Sequence, residues 1–66
     1  MFKILATVVN EGKKNDKFQL RILACVDSAS ELVTSLDDKE FTQGSIAWDI
    51  STGDIYGLTN NTWVKQ

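Results

Sequence analysis

The chain has 66 residues, enough for one domain spanning 1–66, and 42% of them are hydrophobic, as is typical of a folded globular protein. Its net charge of −2 lacks the basic excess with which proteins neutralise nucleic-acid phosphates. The single cysteine, Cys25, excludes an intrachain disulfide, and the absence of histidine removes the commonest general base and zinc ligand. We therefore expect a non-enzymatic protein that uses no cofactor or metal and binds no nucleic acid.

The N-terminal part contains two apolar segments separated by a polar one. Residues 2–9 are rich in β-branched side chains, and residues 18–26 alternate with period two, so both predict strands. They are expected to pair antiparallel around a polar loop at residues 10–17. The first segment is too short to span a membrane and has no signal-peptide features, which predicts synthesis in the cytoplasm and no membrane partner.

The polar segment holds the one basic cluster of the chain, formed by Lys13, Lys14 and Lys17. Asp16 interrupts this cluster and Glu11 precedes it, so the local charge is mixed. We interpret the cluster as a solvated turn rather than a phosphate-binding site.

Residues 27–43 form a connection with a weak helical signal. Asp27 or Ser28 can cap a helix, and Ser28 with Glu31 matches a capping box. The stretch is short and contains poor helix formers, so we expect one or two helical turns within a longer surface connection. The charged residues at 37–40 are expected to face solvent.

The last third has the clearest alternation. Strands are predicted at residues 45–50, 55–58 and 63–65, with turns at 51–54 and 60–62, which makes a three-stranded meander. Within the first of these strands the large apolar side chains fall on one face, and they are Ile46, Trp48 and Ile50.

Two carboxylates, Asp49 and Asp54, flank the turn at residues 51–54. A hard-cation site built from oxygen ligands is one interpretation, but the spacing does not match the twelve-residue calcium loop. We expect these side chains and the neighbouring hydroxyls to hydrogen-bond the turn backbone instead.

Three aromatic residues, Trp48, Tyr56 and Trp63, fall in the same region, and adjacent strands can bring them together. One interpretation makes them an interaction surface, because Trp and Tyr are enriched at binding hot spots. The other makes Trp48 and Trp63 the main bulk of a small core. Tyr56 has the opposite parity to Ile55 and Gly57, which favours a position away from the core and a surface contact.

The segment from Gly44 to Tyr56, followed by Trp63 and Val64, resembles a recurring segment in small structural and assembly proteins of tailed phages and prophages. In those proteins a glycine and a small residue lead into a strand, followed by a Thr-Gly-Asp or similar turn, an aromatic-bearing strand and a tryptophan. Members are short, non-enzymatic, and virion-associated or encoded among head and tail genes. The resemblance covers about a third of the chain, on residues 44–56 together with 63–64, and carries over no known binding residue.

Together these patterns predict a mainly β fold, a small antiparallel sheet or barrel-like domain of about five strands, with one short helical turn in its middle connection. The expected function is that of a phage or prophage building block, which contacts itself as a homo-oligomer or contacts other virion proteins. It would be made in a bacterial host and carried in the virion. The side chains considered as anchors, where exposed, are Phe2, Phe41, Trp48, Tyr56 and Trp63.

Two alternatives remain open from the residues alone. The clustered aromatics are compatible with a small ligand-binding module for carbohydrate or peptide. The acidic balance is compatible with a small phage regulator of a host protein.

Overall fold

The computed structural model describes residues 1–66 and is mainly β. Its elements, in chain order, are β1 (Lys3–Lys14), β2 (Lys17–Val26), a 3-10 turn (Ala29–Glu31), β3 (Ser35–Leu36), β4 (Lys39–Phe41), β5 (Ile46–Asp49), β6 (Asp54–Thr59) and β7 (Thr62–Lys65). All seven strands belong to one sheet. The predicted fold class is confirmed, with two strands more than expected, and the C-terminal meander is formed by β5, β6 and β7.

Strand β2 is the centre of the sheet. One edge of β2 pairs antiparallel with β1, whereas its other edge is divided between two partners. Its first half pairs with β4 and its second half with β5, and both of these pairings are parallel. The sequence analysis, which expected a mainly antiparallel sheet, did not predict these two parallel contacts.

Two hairpins close through two-residue turns. Asn15 and Asp16 join β1 to β2, and Asn60 and Asn61 join β6 to β7, all with φ between 51° and 63°. Consecutive left-handed residues are the signature of a type I′ turn, which matches the twist of the strands it joins, and Asn and Asp tolerate this conformation. The prediction of a long polar loop at residues 10–17 is therefore wrong, because β1 continues to Lys14 and β2 begins at Lys17.

Strand β1 continues through this polar segment as an irregular edge strand. Its register with β2 shifts at three places, and almost all of its side chains are exposed. Such bulges absorb extra residues and blunt an edge strand against further pairing. Only Ile4, near the start of β1, packs against the core, so most of the strand lacks the apolar-polar alternation that marks a half-buried strand.

The core lies on one face of the sheet, here called the inner face. Its buried members are Leu20, Ile22, Ala24, Phe41, Ala47 and Leu58. Phe2 and Trp63 pack against this cluster, and the Phe2 and Phe41 rings stack with centroids 5.3 Å apart. Phe41 is only 3% exposed, so the structure assigns it to the core rather than to a contact surface.

A buried serine satisfies the backbone where the partners of β2 change. Between the β4 and β5 pairings, the Ile22 N–H donates to Ser45 Oγ at 3.1 Å. The Ser45 hydroxyl donates in turn to the Thr42 carbonyl oxygen at 2.8 Å. Because Ser45 is fully buried, water cannot substitute for either bond.

The connection after β2 contains one three-residue 3-10 turn. Ser28 is its N-cap and accepts a hydrogen bond from the Ser30 N–H, which confirms one of the two predicted caps. Glu31 accepts from the Asp27 N–H at 2.9 Å, one residue earlier than a standard capping box requires. Farther along, the Val33 carbonyl accepts a hydrogen bond from Trp63 Nε1, which ties the connection to the sheet.

Candidate functional site

The face of the sheet opposite the core, here called the outer face, carries a set of exposed apolar side chains. Within β2 and β5–β7 these are Leu23, Ile46, Trp48, Ile55 and Val64, together with the half-buried Cys25. We call these six residues the outer patch. Isolated apolar residues are common on protein surfaces, but contiguous groups mark interaction sites.

Strand register makes the outer patch contiguous. Leu23 lies beside Ile46, and Cys25 lies beside Trp48. Trp48 in turn faces Ile55 across the β5–β6 pairing. Directly paired residues in a sheet have Cβ atoms about 5 Å apart on the same face, so these side chains form rows that run across the strands.

The strands that carry the outer patch present no charge on this face between β5 and β7. The positions of these strands that face outward are Ile46, Trp48, Ile55, Gly57, Thr59, Thr62 and Val64. The cations on the same face lie on β1 and β2: Lys3 is beside Cys25, Arg21 is two residues before Leu23, and Lys14 and Lys17 are at the hairpin end. A low charge at the centre with polar groups at the rim is typical of protein-interaction surfaces.

Gly57 is the one position on the outward side of β5–β7 that has no side chain, and a depression lies beside it. Gly57 pairs with Ile46 on β5 and with Val64 on β7, and it contributes no side chain between them. A cavity of about 330 Å³, lined mainly by polar residues and glycines, lies here, bounded by Ile46, Ile55 and the Gln66 side chain. The Gln66 Nε2 atom lies over Gly57, 2.9 Å from the position that a Cβ would take. Glycine inside a strand commonly marks a place where another group approaches the backbone closely.

The three aromatic residues predicted as a contact surface do not share one face. Trp48 is 46% exposed on the outer face. Tyr56 pairs with Ala47, and Trp63 pairs with Leu58, so both lie on the inner face and both are half-buried. The predicted aromatic cluster is therefore divided by the sheet, and only Trp48 belongs to the outer patch.

In β5 the larger apolar side chains face solvent and the smaller or polar ones face the core, which is the reverse of what hydrophobicity alone predicts. Ile46, Trp48 and Ile50 are exposed, whereas Ser45, Ala47 and Asp49 are buried. Consequently the interpretation of Trp48 as core is wrong, and Trp63 alone packs against the core. The opposite parity of Tyr56 and Ile55 is present, but Ile55 is the residue that faces away from the core.

The turn between β5 and β6 has the hydrogen bonds expected of a closed polar turn. Asp49 accepts from the Ser51 hydroxyl at 2.6 Å and from the Ser51 N–H at 2.9 Å. Asp54 accepts from the Thr52 hydroxyl at 2.9 Å. Hydrogen bonds from Ser51 hold the pKa of Asp49 below its usual value, although desolvation acts in the opposite direction. These carboxylates stabilise the turn, as predicted, and no group of three or more His, Cys, Asp or Glu side chains converges anywhere in the chain.

The basic cluster lies at the tip of the β1–β2 hairpin. Lys13 and Lys14 are exposed, and Lys17 is half-buried at the start of β2. The Lys13 ammonium lies 5.2 Å from the centroid of the Phe18 ring, a cation–π distance. The cluster thus borders a hairpin end, and it is remote in register from the outer patch.

Sequence reasoning missed most of the outer patch. The residues of the outer patch that were not proposed as site residues are Leu23, Cys25, Ile46, Ile55 and Val64. The signal that could have found them is the two-sided character of β2 and β5, in which both parities carry apolar residues. When a strand carries apolar residues on both faces and only one face is covered by the core, the other face is an exposed apolar surface.

Comparison with protein-family models, with curated proteins and with solved structures found no match for this chain. None of its helical segments has the length and apolar character needed to cross a membrane.

Proposed function

We propose that this chain is a non-enzymatic structural or assembly protein that acts through protein–protein contacts made by the outer patch. The observation that carries the proposal is the contiguous, exposed apolar face formed by β2, β5 and β6, which carries no charge on its β5 and β6 positions. Leaving such a surface in water is unfavourable by about 25 cal/mol for each Å² of apolar area, so covering it with a partner is favourable.

The likeness of residues 44–64 to small proteins of tailed phages and prophages supports a role in a head, tail or assembly intermediate. That segment forms β5, the following turn, β6 and most of β7. It therefore supplies Ile46, Trp48, Ile55 and Val64, the larger part of the outer patch. The resembling segment and the candidate contact surface are largely the same part of the molecule.

The composition also favours a binding role over catalysis. The chain has no histidine, and its buried polar side chains, Ser45 and Asp49, are engaged in the hydrogen bonds described above. An activated serine requires a neighbouring base, whereas the Ser45 hydroxyl bonds only to the Ile22 N–H and the Thr42 carbonyl oxygen. We assign both residues a structural role.

Photo-crosslinking in the cells that make the protein tests the proposal. Trp48 is replaced by p-benzoylphenylalanine, an aromatic residue of comparable size, in the full chain. The matched control places the same residue at Leu5, which is 55% exposed on β1 and outside the outer patch. We expect a discrete protein adduct from position 48, identified by mass spectrometry as a virion component or as this chain, and none from position 5.

Two further substitutions, each combined with the crosslinking residue at position 48, test whether the adduct depends on the outer patch. Ile46→Ser, beside position 48 on the same strand, and Val64→Ser, farther away on β7, each remove an exposed apolar group of the outer patch without opening the core, and each is expected to reduce the adduct. Equal labelling from positions 48 and 5, or no protein adduct from position 48, would overturn the proposed role.

A further inference from the structure

We infer that three unpaired cations on the outer face, Lys14, Lys17 and Arg21, bind an acidic segment of a partner protein. We call these three residues the cationic strip. The strip lies at the end of the face formed by the β1–β2 hairpin, outside the outer patch, so the inference goes beyond the proposed function.

Strand register places the cationic strip on one face of the sheet. Lys17 and Arg21 are four residues apart on β2, and this even spacing points both side chains outward. At about 3.3 Å for each residue, they are about 13 Å apart along the strand. Lys14 pairs with Lys17 across the hairpin, so its side chain lies on the same face. The three charges therefore form one group.

The cationic strip has no counter-charge within the chain. The ion pairs made by lysine side chains lie elsewhere and involve Lys39 and Lys65. Lys13, the other lysine of the hairpin, is on the opposite face over the Phe18 ring. The three cations of the strip are therefore free to pair with carboxylates of another molecule.

The acidic side chains on the strands that flank this part of β2 do not neutralise the strip. Glu11 on β1 accepts a hydrogen bond from the Thr42 hydroxyl, and Glu40 on β4 lies beside Gln19 without an ion pair. Moreover, Lys14 and Lys17 are directly opposite each other, and like charges in that position are destabilising. A carboxylate bound between the two ammonium groups would turn this repulsion into attraction.

Arg21 has a donor that the fold leaves unsatisfied. Its Nε atom is buried, and no atom of the chain accepts a hydrogen bond from it. The side chain rests against Gly44, where an added Cβ would lie 3.1 Å from this nitrogen. A buried donor without an acceptor is unfavourable. A partner carboxylate supplies the acceptor when the guanidinium turns toward it, and Arg–carboxylate pairs commonly form two parallel hydrogen bonds.

The extent and surroundings of the strip favour an acidic protein segment over a nucleic acid. Proteins that bind nucleic acid neutralise many phosphates with a broad basic surface, whereas this chain has a net charge of −2. Three acidic residues at alternate positions of an extended segment span about 13 Å, which is the length of the strip. Leu23, two residues beyond Arg21 on the same face, can contact an apolar side chain of that segment.

Nuclear magnetic resonance of the full chain, labelled with nitrogen-15, tests the inference. The probe is a synthetic peptide of about twelve residues in which glutamate alternates with serine, which places a carboxylate about every 7 Å on one side. We expect saturable shifts of the backbone amides of the strip and of the Arg21 Nε–H resonance. A peptide with glutamine in place of glutamate is expected to produce none. Because salt screens charges, the affinity should fall as the ionic strength rises.

Variants that remove one charge locate the binding. Arg21→Gln and Lys17→Gln are each expected to weaken the affinity for the glutamate peptide by about fivefold, the upper range for an ion pair at a surface. Lys65→Gln is the matched control, because it removes the same charge from β7, outside the strip. Arg21→Lys keeps the charge but not the paired hydrogen bonds, so we expect an intermediate affinity. Circular dichroism checks the fold of each variant.

The outcomes separate a built site from general attraction. Equal weakening by Arg21→Gln and Lys65→Gln would mean that only net charge attracts the peptide, and would overturn the inference. The absence of saturable shifts with the glutamate peptide would overturn it as well. Tighter binding of a short oligothymidylate, or of phosphatidylglycerol vesicles, would assign the strip to nucleic acid or lipid instead. Crosslinking from position 48 reports on the outer patch, so the proposed function stands or falls separately.

Discussion

Ser45 is a buried polar residue whose hydroxyl makes two hydrogen bonds, one of them with the backbone of β2. Its hydroxyl accepts from the Ile22 N–H at the point where β2 passes from β4 to β5. Replacing Ser45 by alanine leaves a buried N–H without a partner, which costs about 1–3 kcal/mol. We therefore expect Ser45→Ala to lower the free energy of unfolding by that amount in urea denaturation followed by circular dichroism.

A matched hydroxyl removal serves as the control for this prediction. Ser30 is exposed, and its hydroxyl bonds only to the neighbouring Ser28 side chain. Surface substitutions of this kind usually change stability by less than about 0.5 kcal/mol. If Ser45→Ala and Ser30→Ala have equal unfolding midpoints, Ser45 does not support the divided edge of β2.

Asp49 is the buried carboxylate of the β5–β6 turn, and its titration is expected to appear in the stability of the protein. Hydrogen bonds from Ser51 lower its pKa in the folded state below the ordinary value of 3.8. A group whose folded pKa is lowered contributes stability above its unfolded pKa, and this contribution is lost as the pH falls through the folded value.

The expected result is a loss of stability that begins as the pH approaches 3.8 and continues below it. Asp49→Asn keeps the shape of the side chain but does not titrate, so its stability should depend less steeply on pH in this window. Urea unfolding at a series of acidic pH values measures the difference. Parallel pH curves for the two proteins would show that Asp49 is not preferentially ionised in the folded state.

The β6–β7 hairpin shows how strongly a turn residue is constrained. Asn61 has φ of 62°, and a β-branched residue in this left-handed region costs about 1–2 kcal/mol. Asn61→Val is therefore expected to destabilise the protein by about that amount, whereas Asn61→Gly is expected to be neutral or stabilising. Thermal unfolding of both variants tests this, and a stable Asn61→Val variant would contradict the assigned turn.

Several elements were predictable because their signals are local. The turns after β5 and β6 contain Gly53 and two asparagines, which adopt positive φ where other residues are strained. The Ser28 cap also depends only on neighbouring residues. These features follow from backbone sterics and short-range hydrogen bonds, which a linear sequence displays directly.

Other elements depend on contacts that a linear sequence does not display. The parallel pairing of β2 with β4 involves only three residue pairs, which is too short to produce a recognisable periodic pattern in the sequence. Ser45 and Asp49 are buried because hydrogen bonds in the folded chain satisfy their side chains. Trp48, on the opposite face of the same strand, is therefore exposed despite its hydrophobicity. Most of the outer patch was not predicted, because β2 and β5 carry apolar residues on both faces and the sequence does not show which face is covered.

At the scale of the whole molecule, size and self-association are linked. A chain of about 60 residues buries only about 60% of the surface exposed by its unfolded form, so its own core provides limited stability. Docking two outer patches would cover apolar area that the fold leaves in water. Because only folded chains can dock in this way, association would stabilise the folded state by mass action.

The expected consequence is a melting temperature that rises with protein concentration. A binding partner at 100 times its dissociation constant stabilises a folded protein by about 2.7 kcal/mol, and each kcal/mol raises the Tm of such a small domain by about 4–8 °C. Trp48→Ser, which removes the largest exposed side chain of the outer patch, should melt at a temperature that depends less on concentration. Differential scanning calorimetry from dilute to concentrated samples measures both. A wild-type Tm that does not change with concentration would mean that this apolar face is not covered by a second copy, and that its partner must be a different protein.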